Sequence, residues 1–290
     1  MSSDVATGAR QTIGLGDLPL GFRIGASLLI VQLVLAIAGP QLVAYGPTQM
    51  ATGIPLSGAS WQHPFGLDQL GRDVFSRAIH GGGLVITLSL AGTVLAFVLG
   101  CLIGLVSGYR GGLFDAVTMR IVEALISIPV LFLALLLVAL AGIQATGTAY
   151  LIVAVIGFVY APRIARIARA ASMEIAQLDF VAAAKLRGDS ATRIALREIL
   201  PNVSGTLLVE FSLRAAYAPV LVASLGFLGF GLKPPTPEWG LIIAENRNLI
   251  FLTPATVLGP GFLLASLVVA VNLLTDGIAR LIGRAIPLRG

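Results

Sequence analysis

The strongest constraint on this chain is where its charges are missing. No Asp, Glu, Lys or Arg occurs between Arg23 and Asp68, between Arg77 and Arg110, or between Glu123 and Arg163. An ionised side chain at the centre of a bilayer is costly, so long uncharged apolar runs mark segments able to cross one. Composition agrees. Hydrophobic residues are 57% and charged residues 11% of the 290, against roughly 45–50% and 25% in ordinary soluble domains. So few charges cannot cover so much apolar surface in water, and the same numbers exclude disorder.

The gaps resolve into spans. The first opens with GASLLIVQLVLAIA, one span ending near Gly39-Pro40. Its remainder, with Pro40, Pro47, Pro55, Gly53 and Gly58, reads as an uncharged loop. The second holds one span, LVITLSLAGTVLAFVLGCLIGLVSG. The third is 39 residues long, about twice the roughly 20 residues one helical crossing needs. Breaks at Gly142 and at Thr146-Gly147-Thr148 make it a predicted hairpin of two spans. A fifth span is expected near Gly205 to Gly231 and a sixth near Ala255 to Leu274. The expectation is an all-α polytopic membrane fold of six transmembrane helices with both termini on one side. The first span, lacking a small-residue cleavage pattern, is expected to be retained. The side that carries the termini has 14 basic residues and the other side 4, with Arg214 inside the fifth span. That asymmetry places both termini in the cytoplasm. It also accounts for the net charge of +5 without nucleic acid, since no basic run or aromatic platform is present.

Within the spans, Gly100, Gly104 and Gly108 share a helix face, which suits close helix packing. Pro129, Pro162 and Pro219 mark either kinks or breaks that line a pathway. Cys101 reads as a small packed side chain, and His63 and His80 are too separated for a metal site of their own. Glu210 and Arg214 are four apart on one face of the fifth span, so they either pair or touch a transported solute. In the first outer loop, Asp68, Arg72, Asp73 and Arg77 are the only charges. They either pair locally and cap the second span or dock an external partner. Trp239 and Lys233 in the second outer loop are candidate interfacial anchors, and Trp239 a candidate docking residue.

The longest cytoplasmic stretch lies between the fourth and fifth spans. Helix-forming sequence runs to Gly188, which can take a left-handed cap. Asp189 and Ser190 offer acceptors to start a second helix. Ile194, Ile199 and Leu200 give that helix an apolar edge, and Pro201 is expected to turn the chain before the fifth span. Apolar residues presented at such a surface call for a partner or for lipid.

Here the sequence resembles a known family. AAAKLRG, nine residues, then EILP (Ala182 to Pro201) is similar to the ATPase-coupling loop of ABC importer permeases, EAA-xxx-G-x9-I-x-LP. Ala183, Ala184, Gly188, Leu200 and Pro201 match, while Ala182 stands at the Glu position and Glu198 at the first Ile position. HPFGLDQLGRDVFSRAIHGG, GYRGGLFDAVTMRIVEALISIP, LGFLGFGLKPPTPEWG and NLLTDGIAR are similar, in order, to segments of the dipeptide, oligopeptide and nickel importer permeases. The chain looks like the C-type partner of the two permeases in such systems. Val222 and Thr275 depart from that pattern, at positions where relatives carry an acid and a Gly.

The resemblance implies the type I ABC importer permease fold in a bacterial inner (plasma) membrane. It implies a cytoplasmic segment over 1–23 and a permease domain over 24–290. Outer loops would cover about 40–80 and about 232–254, and the cytoplasmic coupling loop about 170–203. It further implies a heterodimer with a second homologous permease, and two ATPase subunits. An extracellular or periplasmic substrate-binding protein would deliver the cargo. The ATPase contacts would be Ala182, Ala183, Ala184, Gly188, Glu198, Leu200 and Pro201. Peptides are the expected cargo, with nickel or another small solute as the alternative. No GxxxxGK[ST] run occurs, so ATP and Mg are expected on the partners, with no cofactor and no catalysis in this chain. A secondary transporter would need membrane-embedded acids or cation sites, which these spans hardly offer. An intramembrane enzyme would call for HExxH or GxSxG, and neither appears.

Overall fold

The computed structural model describes residues 19–285. The 1–18 segment, Arg10 and Arg289 lie outside the described residues, and so does the cytoplasmic placement of the two ends. The described residues form helices, with one isolated bridge between Leu67 and Asp73.

The first span is α1 (Leu20–Ile37), followed by the four-residue α2 (Gly39–Leu42), which begins where Pro40 is tolerated near a helix start. The second is α3 (Val74–Arg110), 37 residues long, or about 55 Å at 1.5 Å per residue. It exceeds the roughly 30 Å hydrocarbon core. Its outer end starts on Asp73, whose carboxylate accepts from the Ser76 N–H at 2.7 Å. Gly111, at φ +65°, ends it.

The third span is not one straight helix. α4 (Gly112–Ser127) stops at Ile128 and α5 (Val130–Ala141) starts after Pro129, with a 101° bend between them. The residue before a proline is pushed out of the helical region, and Ile128 is extended at φ −79°, ψ 128°. Neither piece alone reaches the length of a crossing. Five single helices satisfy the length and apolarity of a span, and this bent pair completes six. The predicted turn after Ala141 is present, and α6 (Ala149–Ile175) forms the fourth span with Pro162 inside it.

In the cytoplasmic segment, α7 (Asp179–Leu186) and α8 (Ala191–Ile194) flank Gly188. The fifth span, α9 (Leu200–Phe227), corrects one expectation: Pro201 does not turn the chain. α8 and α9 are joined by a π-helical turn over Ala195–Ile199 and run as one 37-residue rod, Ala191–Phe227. In an α-helix, proline would clash with the carbonyl four residues back. Widening the turn relieves this, with the Leu200 N–H reaching back five residues to the Ala195 carbonyl. The Asn202 side-chain amide donates to the Glu198 carbonyl, one turn back, at 2.6 Å. Outside the membrane, α10 (Trp239–Asn246) precedes the last span, α11 (Ala255–Ala285).

Two seams organise the bundle. α3 and α6 pack along their glycine face, as the four-residue spacing predicts. A Cβ on Gly100 would lie 2.8 Å from the Ala161 carbonyl oxygen, and one on Gly108 2.6 Å from that of Arg169. The backbones touch only because no side chain intervenes. Cys101 is buried in this packing. α1 lies on α11, where a Cβ on Gly25 would meet the Ala270 carbonyl at 2.8 Å. Buried Gln32 donates across that seam to Ser266 Oγ at 2.6 Å and to the Leu263 carbonyl at 3.2 Å. The opposite faces of these helices, such as Ile30 and Val34 or Leu90 and Leu102, are exposed and apolar, suited to lipid or to another apolar helix.

Candidate functional site

The cytoplasmic helix pair is built as its residues dictate. Gly188 sits at φ +80°, where a side chain is strained and glycine is not. The Gly188 N–H donates to the Lys185 carbonyl at 3.0 Å and the Asp189 N–H to that of Ala184 at 3.2 Å. This is the bond pair of a Schellman cap. Ser190 then caps α8, accepting from the Arg193 N–H at 3.3 Å. Arg187 reaches Asp189 at 3.1 Å and Glu198 at 3.6 Å, tying the turn to the π-helical segment. Ala184 and Val181 are buried, and so are Ile194 and Ile199 of the expected apolar edge. The Lys185 ammonium lies 5.1 Å over the Tyr109 ring, which holds α7 against the inner end of α3. What remains outward is Ala182, Ala183, Gly188 and Pro201, flanked by Leu178, Phe180, Leu196 and Leu186, the last 91% exposed. The result is an apolar ridge braced from behind by the chain's own core.

A second device, missed in the sequence, fixes the approach to this ridge. Asp115 of α4 forms a bidentate pair with Arg169 of α6 and also accepts from Ser107 Oγ at 2.7 Å. Both sit beside Gly108, where α3 and α6 touch. The partners are 54 residues apart in sequence, so spacing gives no signal for the pair.

The outer charges are placed otherwise than a docking surface requires. Asp68, Arg72 and Asp73 are each at most 6% exposed and Trp239 is 1% exposed, so these four side chains face inward and offer no contact surface. The docking expectation is corrected for them, and the interfacial-anchor expectation for Trp239. Asp73 caps α3 and accepts from His63 Nδ1 at 3.1 Å. Trp239 Nε1 donates to the Ala78 carbonyl at 2.7 Å. Arg72 and Arg77 both bridge Asp68 to Glu245 of α10, at 2.6–3.0 Å. The local-pairing reading therefore holds, with Glu245 as the partner the sequence reading lacked. Glu238 caps α10 through the Gly240 and Leu241 N–H groups, at 2.8 and 2.9 Å. Burial pushes its carboxyl up to about 7, more than those two bonds pull it down. The large exposed aromatics of the outer loops are Trp61 and Phe251.

In the bundle interior, Glu210 accepts from Arg214 Nε at 2.7 Å, as the i, i+4 spacing suggests. The same Arg214 lies 5.9 Å over the Tyr160 ring. Tyr160, Arg214, Tyr217 and Ser224 line a pocket of about 360 Å³ with Leu131 of α5. Among the described residues, no group of His, Cys, Asp or Glu has the arrangement of a metal site.

Residues 100–287 match the family model described as the binding-protein-dependent transport system inner membrane component. Among curated proteins, the chain is 31% identical to the dipeptide transport system permease protein DppC of Haemophilus influenzae, over 89% of this chain and 88% of that one. It is 33% identical to the di/tripeptide transport system permease protein DppC of Pseudomonas aeruginosa, over 88% and 85%. It is 38% identical to the glutathione transport system permease protein GsiD of Escherichia coli, over 77% and 72%. The family match takes in the last eleven residues of α3 and everything after it to the last span, including the bent third span and the braced cytoplasmic ridge. This chain therefore belongs to the family of binding-protein-dependent transport system inner membrane components, a multi-pass protein of the inner membrane.

Proposed function

We propose that this chain is one of two permease subunits in an ATP-driven importer of short peptides. In this reading a second, homologous permease completes the pathway. A binding protein outside delivers substrate, and two ATPase subunits supply ATP chemistry and its Mg. The chain itself catalyses nothing. Peptide cargo is supported by the names of relatives that align over most of their length, for dipeptides, di/tripeptides and the tripeptide glutathione.

The observation that carries the coupling role is the fusion of the ridge to a span. α8, the π-helical turn and α9 form an unbroken 37-residue helix, about 55 Å long. One end lies beside Gly188 and the middle carries Glu210 and Arg214. A push on α7 and the Gly188 cap is therefore delivered to the bundle interior without an intervening hinge. Leu186, Leu178 and Phe180 supply the apolar contact, and the segment at about 170–203 is the coupling loop. The segments at about 40–80 and 232–254 are the outer loops.

The test is a cross-link. Cys101 is buried, so Leu186→Cys adds a single accessible thiol. In the assembled complex it is expected to cross-link to an ATPase subunit, with a yield that changes on ATP binding. Trp61→Cys, on the outer side, is expected to give no such product. Absence of an ATPase cross-link from Leu186→Cys in an intact complex would overturn the coupling role.

A further inference from the structure

A guanidinium inside the membrane without an acid to neutralise it has to face water, a partner or a ligand, because lipid solvates it poorly. Arg163 on α6 is such a group. Its Nη1 donates to the Val159 carbonyl of its own helix at 3.0 Å. Among the described residues, no carboxylate lies within ion-pair distance of it, whereas Arg214 is paired with Glu210 at 2.7 Å. Counted from the outer helix ends at Ala149 and Phe227, Arg163 and Arg214 both lie about 20 Å deep. Against a core of about 30 Å that level lies in its inner half, so Arg163 belongs to the fourth span and not to the cytoplasmic side on which the charge count placed it. Arg214, Glu210 and Arg166 all lie within electrostatic reach of Arg163, and Arg214 stacks over Tyr160, one helical turn from Arg163. Tyr160 and Arg214 both line the pocket between α5, α6 and α9.

Arg163 and Arg214 against Glu210 leave this level with one net positive charge, and Arg166, one turn further along α6, adds a second nearby. We infer that Arg163 and Arg214, compensated in part by Glu210, form a subsite that receives the carboxylate of the passing solute, which for a peptide is its C-terminal group. The inference rests on the peptide-importer reading. Glu210 keeps the site from holding the anion too firmly, since it occupies Arg214 and repels a second carboxylate. A planar guanidinium suits a carboxylate because it presents paired donors. Arg163 has all but one of its donors uncommitted to the described protein groups.

The experiment uses the full complex of both permeases, the ATPases and the binding protein in proteoliposomes. Uptake of a labelled tripeptide is compared with that of its C-terminal amide, each at saturating loaded binding protein, so that selection by the binding protein drops out. The wild type is expected to move the acid faster than the amide. Arg163→Gln is expected to lower that ratio about tenfold, the loss of one charge-assisted hydrogen bond. Arg163→Lys should recover part of it. Glu210→Gln should move the ratio the other way, and the exposed Arg120→Gln should leave it unchanged.

Opposite signs for Arg163→Gln and Glu210→Gln separate a carboxylate subsite from a structural role, which would lower both rates together. If Arg163→Gln fails to assemble, Glu210→Gln and Arg163→Lys still decide the matter. An acid-to-amide ratio indifferent to these variants, in a complex that takes up peptide with ATP, overturns the subsite and leaves the importer reading standing. A ratio that tracks the anionic lipid content of the vesicle assigns Arg163 to lipid headgroups and overturns it as well. Absence of ATP-dependent peptide uptake by the wild type overturns the importer reading itself.

Discussion

Substituting Gly188 separates two causes that a loss of transport would otherwise merge. At φ +80° an L-residue places its Cβ against the following carbonyl, at a cost of roughly 1–2 kcal/mol. A Cβ there meets no atom of this chain within 4 Å, so sterics inside the subunit add nothing. Gly188→Ala should therefore depopulate the Schellman turn by about five- to thirtyfold while the bundle stays folded. Asn tolerates the left-handed region better than other non-glycine residues. Backbone strain alone thus ranks coupled transport as Gly, then Asn, then Ala. If an ATPase groove closes on this position, Asn and Asp fail as well, because their side chains fill space that Gly188 leaves open. Gly188→Asp is accordingly expected to abolish uptake at normal membrane abundance. The assay is ATP-dependent uptake beside melting of the purified complex. Normal uptake by Gly188→Ala and Gly188→Asp at normal abundance would refute both the strain argument and the groove.

Three further outcomes follow from the packing and the outer charges. Gly104→Leu puts a side chain into the Ala165 backbone across the α3–α6 seam. It should reduce the folded, membrane-inserted protein severely, as read by detergent-solubilised melting, while Gly261→Leu, with open space around it, should not. Arg77 is 0% exposed and bridges Asp68 to Glu245. Its replacement by Leu removes one of the two cations shared by Asp68 and Glu245 and leaves Arg72 to hold both, so it should cost about 1–3 kcal/mol, measured as a fall in melting temperature. Glu238 binds its proton more tightly folded than unfolded, at about 7 against 4.5. Its contribution is therefore full below pH 4.5 and is lost as pH rises to about 7, roughly 3 kcal/mol across that window. Glu238→Gln should flatten this decline, and an unchanged slope in melts from pH 4.5 to 8 would contradict the burial of a titrating acid.

The bundle was legible where one physical rule acts alone. Charge gaps located the spans, because burying a charge in lipid costs more than any local preference supplies. The Gly100, Gly104 and Gly108 spacing located the α3–α6 seam, and Gly188 with Ser190 located the cytoplasmic turn. Legibility failed where a second interaction intervened. Pro201 by itself argues for a stop, but a π-helical turn widens the helix just before it and lets the rod continue. Asp68 and Arg72 left docking open beside local pairing because an uncharged loop surrounds them, whereas Glu245, 173 residues beyond Arg72, joins them with Arg77 in a buried network. Asp115 and Arg169 pair over a shorter gap of 54 residues. Long-range ion pairs leave no periodicity, and this accounts for most of what was missed. The bend at Pro129 was marked by its proline, but the 101° angle depends on how α5 packs against α6.

The central claim is that ATP, acting through the 182–201 loop on partner subunits, drives peptide through this chain. The most direct measurement is uptake of labelled di- and tripeptides into proteoliposomes containing both permeases and both ATPases. The binding protein is added on the side carrying Trp61. Uptake that requires both ATP and the binding protein, and vanishes with Gly188→Asp, is the predicted result. Uptake that proceeds without ATP and follows a proton gradient would contradict the account.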